Sequence, residues 1–439
     1  MNWSKLLVLF TLLALTALSA CGGGAPTQVA GGEVSGEEAV APSGVVELRM
    51  GVDSGMAPPI IDVLQAAVDD WNAANPGIHV TMEVTPEYWV KIPAAFASGT
   101  APDIIYNTVT ETTSTFAELG MYLDLDDYIA ASDVINPEDF EPGIWSTAVW
   151  NGGTWVIPYA WSDLGITYNT AMFDAAGVAH PEAGWNWDEF LATAKALTLD
   201  TDGDGALDQW GFAMSNWPYT GLFPFIMANG GEILSADKSE VLADSSEGME
   251  AIEFYLGLVH TEKVAPTALD LGENPNPFAT GVVAMELNRS FAPYQYEQIN
   301  PDLAFGVTSI PAKAERINYF EGSGFGINSK SEHPDETWQV LEFLASPEHQ
   351  LDMAQLQIFF PARTSTLSEV EYSDQMQVFL AEREYGRDLQ VVAQFDTLTS
   401  HFFFYLIGAV GGVDPIDIPA DIAGIVTNAE AALATHPIK

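Results

Sequence analysis

Basic residues are scarce in this sequence. Only 14 Lys and Arg stand against 61 Asp and Glu, and the formal net charge at pH 7 is -47. A surface with this charge repels nucleic acid phosphates and anionic lipid headgroups, which excludes a nucleic-acid partner. It also disfavours a highly anionic ligand, unless local cations or a metal ion intervene.

Cysteine is almost absent, because Cys21 is the single one in the chain. No disulfide can form within the chain, so its stability must come from packing. The 439 residues are 48% hydrophobic and include 12 Trp, 14 Tyr and 23 Phe. This composition supports large buried cores, and the length predicts two domains.

Motifs of common enzyme classes are missing as well. The sequence has no G-x-x-x-x-G-K-[ST] loop, no G-x-S-x-G turn and no H-E-x-x-H helix, and its seven His are scattered. The Gly-rich segment 322–326 lacks the spacing of a dinucleotide-binding loop. We therefore predict a protein that is not an enzyme. The many carboxylates leave one alternative open, an exported, lipid-anchored glycoside hydrolase.

The first 20 residues have the pattern of a signal peptide. Lys5 precedes the apolar stretch Leu6–Leu18, which is shorter than the roughly 20 residues of a membrane-spanning helix. Leu-Ser-Ala then precedes Cys21, as in a bacterial lipobox. We predict cleavage before Cys21 and a diacylglycerol anchor on its sulfur. Residues 21–44 are mainly Gly, Ala, Ser, Pro and Glu, and they are predicted to form a flexible tether.

Strand and helix patterns alternate after the tether. Strands are predicted at 45–51, 78–84 and 102–106, and helices at 60–75 and 91–98. This order predicts an α/β fold with a parallel sheet, in which ligands bind beyond the carboxyl ends of the strands. Asp53, Trp89 and Asn107 lie at those ends. The pattern restarts after residues 155 and 280, which predicts two α/β lobes joined by more than one crossing.

Seven landmarks occur in a recognisable order along the chain. They are residues 95–104 (small residues, Gly, then Pro-Asp), 157–159 (Ile-Pro-Tyr) with 166–169 and 172–177, 187–190 (Trp-Asp-Glu-Phe), 229–234 (Asn-Gly-Gly-Glu-Ile-Leu), 278–285, 322–327 and 360–363 (Phe-Pro-Ala-Arg). Together they resemble the extracellular solute-binding proteins of the maltose/glycerol-3-phosphate type, which serve carbohydrate ABC importers. The similarity spans roughly residues 45 to 435.

The resemblance implies a two-lobed periplasmic-binding-protein fold of type II, in which each lobe is a mainly parallel sheet flanked by helices. Lobe 1 would comprise residues 45–157 and 283–330, and lobe 2 residues 158–282 and 331–439, hinged by crossing strands. The expected function is capture of a sugar or oligosaccharide in the interlobe cleft, followed by delivery to an ABC permease. The protein would act as an extracytoplasmic monomer, anchored to the cell membrane and exposed at the cell surface or in the periplasm.

Sugars present apolar faces to aromatic rings and hydroxyl edges to carboxylates, amides and Arg. The candidates beyond the first strand ends combine these residue types near the predicted hinge or in segments that resemble the family's cleft. The full candidate set is Asp53, Trp89, Asn107, Tyr159, Trp161, Asp163, Asn216, Trp217, Tyr219, Arg289, Phe291, Gly322, Ser323, Arg363, Phe403 and Phe404.

An acidic loop has most of the ligand order of a calcium site. Carboxylates occupy loop positions 1, 3, 5 and 9, Gly is at position 6, and the carbonyl at position 7 is available. These ligands are Asp200, Asp202, Asp204, Ala206 and Asp208. Gly211 stands at position 12, where a bidentate Glu is usual, so a remote carboxylate or water must complete the shell. We expect a structural Ca²⁺ ion.

Other functions stay open at this stage. A polyamine would suit the acidity, whereas the few basic residues disfavour a sugar phosphate. A lipid-anchored sensor or adhesion module would share the same export signal. A sugar is favoured because the segment around the predicted hinge is rich in aromatic residues.

Overall fold

The computed structural model describes residues 44–274, 276–387, 392, 395–411 and 417–434. The predicted signal peptide, the lipidation site Cys21 and the tether up to residue 43 lie outside this part of the chain. Within it, no helix is both long and apolar enough to cross a membrane.

The larger of the two main sheets has six strands. They are β1 (Val46–Asp53), β2 (Ile78–Thr85), β3 (Ile104–Thr108), β6 (Ile157–Ser162), β11 (Glu321–Ile327) and β12 (Phe360–Pro361), and they lie side by side in the order β12-β6-β11-β3-β1-β2. The first three run parallel, whereas β11 is antiparallel to both β3 and β6. The sheet is therefore mixed, because β11 enters it from the opposite end.

The smaller sheet has three antiparallel strands. They are β7 (Leu164–Asn169), β8 (Met285–Arg289) and β9 (Phe305–Thr308), in the order β8-β7-β9. Two short pairs complete the described strands. These pairs are β4 (Val149–Trp150) with β5 (Gly153–Thr154), and β10 (Asn318–Tyr319) with β13 (Gly386–Arg387).

Seventeen α-helices surround the sheets in the described residues. They are α1 (Pro58–Ala74), α2 (Tyr88–Ser98), α3 (Val109–Glu118), α4 (Asp126–Ala131), α5 (Pro142–Thr147), α6 (Thr170–Ala176), α7 (Trp187–Ala196), α8 (Leu222–Ala228), α9 (Ser246–His260), α10 (Ala268–Leu271), α11 (Ala292–Ile299), α12 (Pro334–Leu344), α13 (Pro347–Gln355), α14 (Thr364–Leu367), α15 (Asp374–Glu382), α16 (Phe395–Val410) and α17 (Ile418–Leu433). Short 3₁₀ turns lie at Pro137–Asp139, Pro218–Thr220 and Arg383–Tyr385.

Local sequence explains where several helices begin and end. Helix α1 buries one face through Ile60, Leu64 and Trp71, at helical spacing. Helix α2 ends at Gly99, whose φ of 75° is the left-handed conformation that suits glycine at a helix end. At the start of α7, the Asn186 side chain accepts from the Glu189 N–H while the Glu189 side chain accepts from the Asn186 N–H.

Each main sheet has its own apolar core. Ile105 and Trp161 belong to the core of the larger sheet, whereas Phe190 and Tyr255 belong to that of the smaller sheet. The chain passes from β6 to β7 at Asp163 and returns from β9 to β11 through residues 309–320. The two passages lie side by side and are joined by hydrogen bonds. The Asn318 side chain donates to the Leu164 carbonyl at 2.8 Å and accepts from the Leu164 N–H at 3.0 Å.

The distribution of the cores differs from the lobe boundaries predicted from sequence. Helices α12 and α13 fall within the predicted lobe 2, yet α12 buries Trp338 and Leu341 in the core of the larger sheet. Strands β8 and β9, which fall within the predicted lobe 1, pair with β7 in the smaller sheet. An amphipathic pattern shows that a helix has an apolar face, but it does not show which sheet that face covers.

Candidate binding site between the two sheets

A cavity of about 440 Å³ lies where the carboxyl ends of β1 and β3 meet the end of β8. The larger sheet and its helices contribute most of the wall, and the segment that follows β8 contributes the rest. The lining residues are Asp53, Gly55, Met56, Ala57, Pro58, Ile60, Trp89, Tyr106, Thr108, Tyr159, Ala160, Arg289, Phe291, Tyr294, Gln295, Glu321, Ser323, Met353, Ile358 and Phe359. Its size and mixed aromatic and polar lining suit a small organic ligand.

Asp53 and Trp89 form one wall as a unit. The Trp89 Nε1–H donates to Asp53 Oδ2 at 2.9 Å, and the Gly55 N–H donates to Oδ1 at 3.0 Å. The Trp89 ring lies 5.9 Å from the ring of Tyr106 on β3. These bonds hold the carboxylate at the end of β1, where its remaining lone pairs can accept from a ligand hydroxyl.

Arg289 and Glu321 form an ion pair that joins the two sheets beside the cavity. Arg289 ends β8 of the smaller sheet, Glu321 begins β11 of the larger one, and the Arg289 Nε faces Glu321 Oε2. The guanidinium also lies 5.4 Å from the Tyr219 ring and 5.6 Å from the Phe291 ring. Burial raises the pKa of the Glu321 carboxyl, and the positive charge of Arg289 opposes that rise.

Further aromatic rings line the remaining wall, beside aliphatic and small side chains. The Phe291 and Phe359 rings lie 5.7 Å apart, and Tyr294 follows on α11. Tyr159 lines the same cavity, and its buried hydroxyl has no hydrogen-bond partner among the described residues. Burial raises the pKa of this phenol, so the hydroxyl stays protonated at neutral pH. The rings of this wall can stack on the apolar faces of a sugar.

Six of the sixteen candidates predicted from sequence line the cavity. They are Asp53, Trp89, Tyr159, Arg289, Phe291 and Ser323. The lining also includes residues that were not predicted from sequence, among them Glu321, Tyr106, Tyr294 and Phe359. A signal for Glu321 was available, because alternate residues of a strand point to the same face and Glu321 precedes Ser323 by two positions.

Asn107 and Trp161 lie outside the cavity lining and are bound internally. The Asn107 amide donates to Thr113 Oγ1 at 2.8 Å and its carbonyl accepts from the Thr112 hydroxyl. Trp161 is buried, and its Nε1–H donates to the Pro361 carbonyl at 2.9 Å. Gly322 lies opposite Trp161 in the sheet and is also buried. Their positions near strand ends reflect packing of the larger sheet.

Arg363 is a structural residue in this fold and does not line the cavity. Its side chain is 3% exposed and forms an ion pair with Asp139 at 2.7 Å. The guanidinium also donates to the carbonyls of Ala345 at 2.6 Å and Val134 at 2.7 Å. These contacts tie the segment after β12 to the end of α12 and to the distant segment 134–139.

Asp163 lies at the passage between the sheets and is 1% exposed. Neither carboxylate oxygen has a hydrogen-bond partner in the described part of the chain. Burial raises the pKa of Asp163 well above its ordinary value, and the nearby charge of Glu382 adds to this shift. Glu382 itself is paired with Arg316, at 3.1 Å from its Nε. Asp163 is thus a buried acid of the hinge and does not line the cavity.

An aromatic row extends from the cavity to the surface. Tyr219, which contacts Arg289, lies 5.7 Å from Trp217, and Trp217 stacks on Phe403 at 4.5 Å. Phe404 follows at 5.7 Å from Phe403. Trp217 is 51% exposed and Phe404 71% exposed. None of the four lines the cavity itself, and the exposed Asn216 lies beside Trp217.

The acidic loop brings three of its predicted metal ligands together. Carboxylate oxygens of Asp200, Asp202 and Asp208 lie within 4.8 Å of one another. Asp204 is outside this group, and its carboxylate accepts from the Ala206 N–H at 2.8 Å. Asp208 accepts hydrogen bonds from the hydroxyl and the N–H of Thr201, and these bonds lower the pKa of its carboxyl. The bond from the hydroxyl has the larger effect. The loop can therefore present three anionic oxygens to one cation.

Two sheets with separate cores, joined at a hinge beside a cavity lined by rings and polar groups, define a two-lobed binding protein. The chain belongs to the bacterial extracellular solute-binding protein family, whose model matches residues 57–351. The members of this family are binding proteins that act outside the cell. The family resemblance found in the sequence is thereby confirmed.

Curated relatives are similar over most of their length. A putative binding protein of Brucella abortus is 27% identical over 332 residues, which are 73% of this chain and 77% of the relative. An erythritol/L-threitol-binding protein of Mycolicibacterium smegmatis is 26% identical over 362 residues, which are 75% and 70% of the two chains. An uncharacterized lipoprotein of Streptomyces antibioticus is 24% identical, with 71% and 70% covered.

Solved structures have the same fold. The substrate-binding protein Lmo0181 of Listeria monocytogenes, in complex with cycloalternan, matches with a TM-score of 0.79 at 20% identity, covering 89% of this chain and 99% of that chain. The maltose/maltodextrin-binding domain of Bdellovibrio bacteriovorus, bound to maltotriose, matches with a TM-score of 0.72 at 22% identity, covering 89% and 100%. The predicted two-lobed type II fold is confirmed, although the larger sheet is mixed and the smaller one antiparallel.

Proposed function

We propose that this protein is the substrate-binding component of an ABC importer and that it captures a sugar or oligosaccharide in the cavity between its lobes. The observation that carries the proposal is the cavity itself, in which aromatic rings surround Asp53 and the Arg289–Glu321 pair. Rings can stack on sugar faces, while the charged groups exchange hydrogen bonds with hydroxyls. Closure of two lobes would bury such a ligand and give a permease a distinct shape to bind.

The size of the ligand follows from the aromatic row. Tyr219, Trp217, Phe403 and Phe404 continue from Arg289 at the cavity to exposed positions. Successive sugar units of a chain could stack along this row, whereas a monosaccharide would need only the cavity. The row therefore favours an oligosaccharide. Solved relatives bound to cycloalternan, maltotriose and mannobiose support this choice, whereas the erythritol/L-threitol-binding relative supports a small polyol as the second candidate.

A thermal-shift screen of neutral saccharides and polyols tests the proposal. A ligand at 100 times its dissociation constant stabilises the folded state by about 2.7 kcal/mol. Asp53→Asn should weaken the response, because Asp53 lines the cavity, whereas Asp62→Asn on the exposed side of α1 should leave it unchanged. A shift with polyamines and none with sugars would reject the carbohydrate. Turnover of labelled oligosaccharides would instead favour the hydrolase alternative.

Three further parts of the proposal concern the cellular setting. We propose that Cys21 carries a lipid anchor, that the protein acts as a monomer and that its protein partner is an ABC permease. The lipobox-like Leu-Ser-Ala before Cys21 supports the anchor, and so does the lipoprotein among the relatives. Mass spectrometry of the membrane-extracted protein, beside a Cys21→Ser variant, would detect the diacylglycerol.

The acidic loop is proposed to hold a structural calcium ion. The three clustered carboxylates of Asp200, Asp202 and Asp208 are hard oxygen ligands of the kind that Ca²⁺ prefers. Their mutual repulsion makes the loop less stable without a cation. The loop lies outside the cavity lining, so the ion would stabilise the fold and would not contact the ligand.

A further inference from the structure

Charge is sparse among the lining residues of the cavity. Of the residues that line it, only Asp53, Arg289 and Glu321 are ionisable at neutral pH as Asp, Glu, Lys, Arg or His. Two carboxylates therefore face one guanidinium, and the formal charge of the lining is negative. A negatively charged ligand would therefore meet net repulsion from the lining, and such repulsion is screened less for buried groups than for exposed ones.

The single cation of the lining is already neutralised. Arg289 is ion-paired with Glu321, and both side chains are largely buried, at 16% and 17% exposure. Its guanidinium is also held between the rings of Tyr219 and Phe291. An incoming phosphate or carboxylate could bind Arg289 only by displacing Glu321, which would leave that carboxylate buried without its partner.

The start of α1, one of the helix ends beside the cavity, offers no compensating donors. The start of α1 lines the cavity through Ala57, Pro58 and Ile60. A helix N-terminus can bind an anion through its free N–H groups. Here the first two helical residues, Pro58 and Pro59, have no N–H, and the N–H groups of Ile60 and Ile61 donate to the Ala57 carbonyl.

We propose that the cavity selects uncharged sugars over their phosphorylated and carboxylated counterparts, and that Glu321 sets this selectivity by neutralising Arg289. The proposal rests on the carbohydrate-binding function proposed above and adds the charge of the ligand that the site accepts. Asp53 acts in the same direction, because its carboxylate accepts from hydroxyl donors and repels anions.

Matched pairs of sugars test the selectivity of the unaltered protein. The pairs are glucose with glucose 6-phosphate, glucose with glucuronate, and maltose with maltose 6'-phosphate, measured by isothermal titration calorimetry. Any neutral sugar that binds should do so at least about tenfold more tightly than its anionic counterpart, a difference of about 1.4 kcal/mol. Equal or tighter binding of the anionic member would overturn the selectivity and leave the binding function standing. Absence of binding by every sugar in the pairs and in the wider screen would overturn both.

Glu321→Gln tests the residue assigned to this role. Without the carboxylate, Arg289 becomes available to an anion, so the preference for the neutral sugar should fall at least about tenfold. Glu83→Gln removes the partner of Arg49 at the surface, outside the cavity lining, and should leave the preference unchanged. A folded Glu321→Gln protein with the original preference would refute the assignment. Should this variant fail to fold, Asp53→Asn must shift the preference in the same direction, and an unchanged value would refute the electrostatic argument.

Discussion

Replacing Asp163 by Asn should make this protein more stable at neutral pH. The carboxylate is buried at the passage between the sheets, has no hydrogen-bond partner among the described residues and lies near the charge of Glu382. Its pKa is therefore raised well above the ordinary value, so the folded protein retains a proton that the unfolded chain releases. Asn has nearly the same shape but needs no proton, so it avoids this penalty.

The sign and slope of the effect follow from proton linkage. Between the pKa of Asp163 in the unfolded chain, about 3.9, and its raised pKa in the folded protein, folding takes up one proton. The free energy of unfolding then falls by about 1.4 kcal/mol for each unit of pH, because the folded state binds more protons than the unfolded state. The unaltered protein therefore becomes less stable as the pH rises through this window. The Asp163→Asn variant has no titrating group at this position, so its stability does not fall for this reason.

Urea unfolding of both proteins from pH 4 to pH 8 measures this slope. The two stabilities should be similar near pH 4 and diverge as the pH rises, with the Asn variant the more stable. An Asp133→Asn variant at an exposed position corrects for the removal of one negative charge from a chain of net charge -47. A difference between the unaltered protein and the Asp163→Asn variant that does not change with pH would refute the reasoning.

Three further outcomes are expected. Trp217→Ala should weaken binding of an oligosaccharide by about 1–3 kcal/mol, the loss expected when an aromatic anchor of a binding site is removed. Calorimetry should show no change in the affinity for a monosaccharide. Equal losses for both ligands would contradict the role of the aromatic row. Arg363→Met should destabilise the fold by about 3–5 kcal/mol in urea unfolding, because Asp139 is left without its ionic partner, and a loss below about 1 kcal/mol would contradict this. Calcium should raise the melting temperature of the unaltered protein but not that of an Asp200→Asn, Asp202→Asn double variant, and an equal rise in both would place the ion elsewhere.

Local periodicity predicted the elements around the first strands closely. The strand predicted at 78–84 is found at Ile78–Thr85, and the helix predicted at 60–75 is found at Pro58–Ala74. Asp53 and Trp89 were also found from sequence, because both follow strands whose carboxyl ends meet at one edge of the sheet. This part of the site depends on order along the chain, which a sequence displays directly.

Residues whose roles depend on distant partners could not be assigned in this way. Arg363 was predicted to contact the ligand, but it does not line the cavity. Its partners Asp139 and Val134 are 224 and 229 positions away, so the sequence did not show that its side chain is bound internally. The two-residue period of β11 could have placed Glu321 beside Ser323 in the site, but its ion pair with Arg289, on a strand of the other sheet, could not be predicted. Sequence alone shows that a charge is present, whereas its burial and its counterion appear only when the strands are assembled.

The position of β11 in the larger sheet has a consequence for the time at which the protein can fold. This strand, Glu321–Ile327, lies between β3 and β6, although both precede it by more than 150 residues. The sheet cannot close until about three quarters of the 439 residues have left the ribosome, and such long-range pairing is slow. Until β11 is available, the edges of β3 and β6 that face it have no partner in this sheet, which exposes them to incorrect pairing.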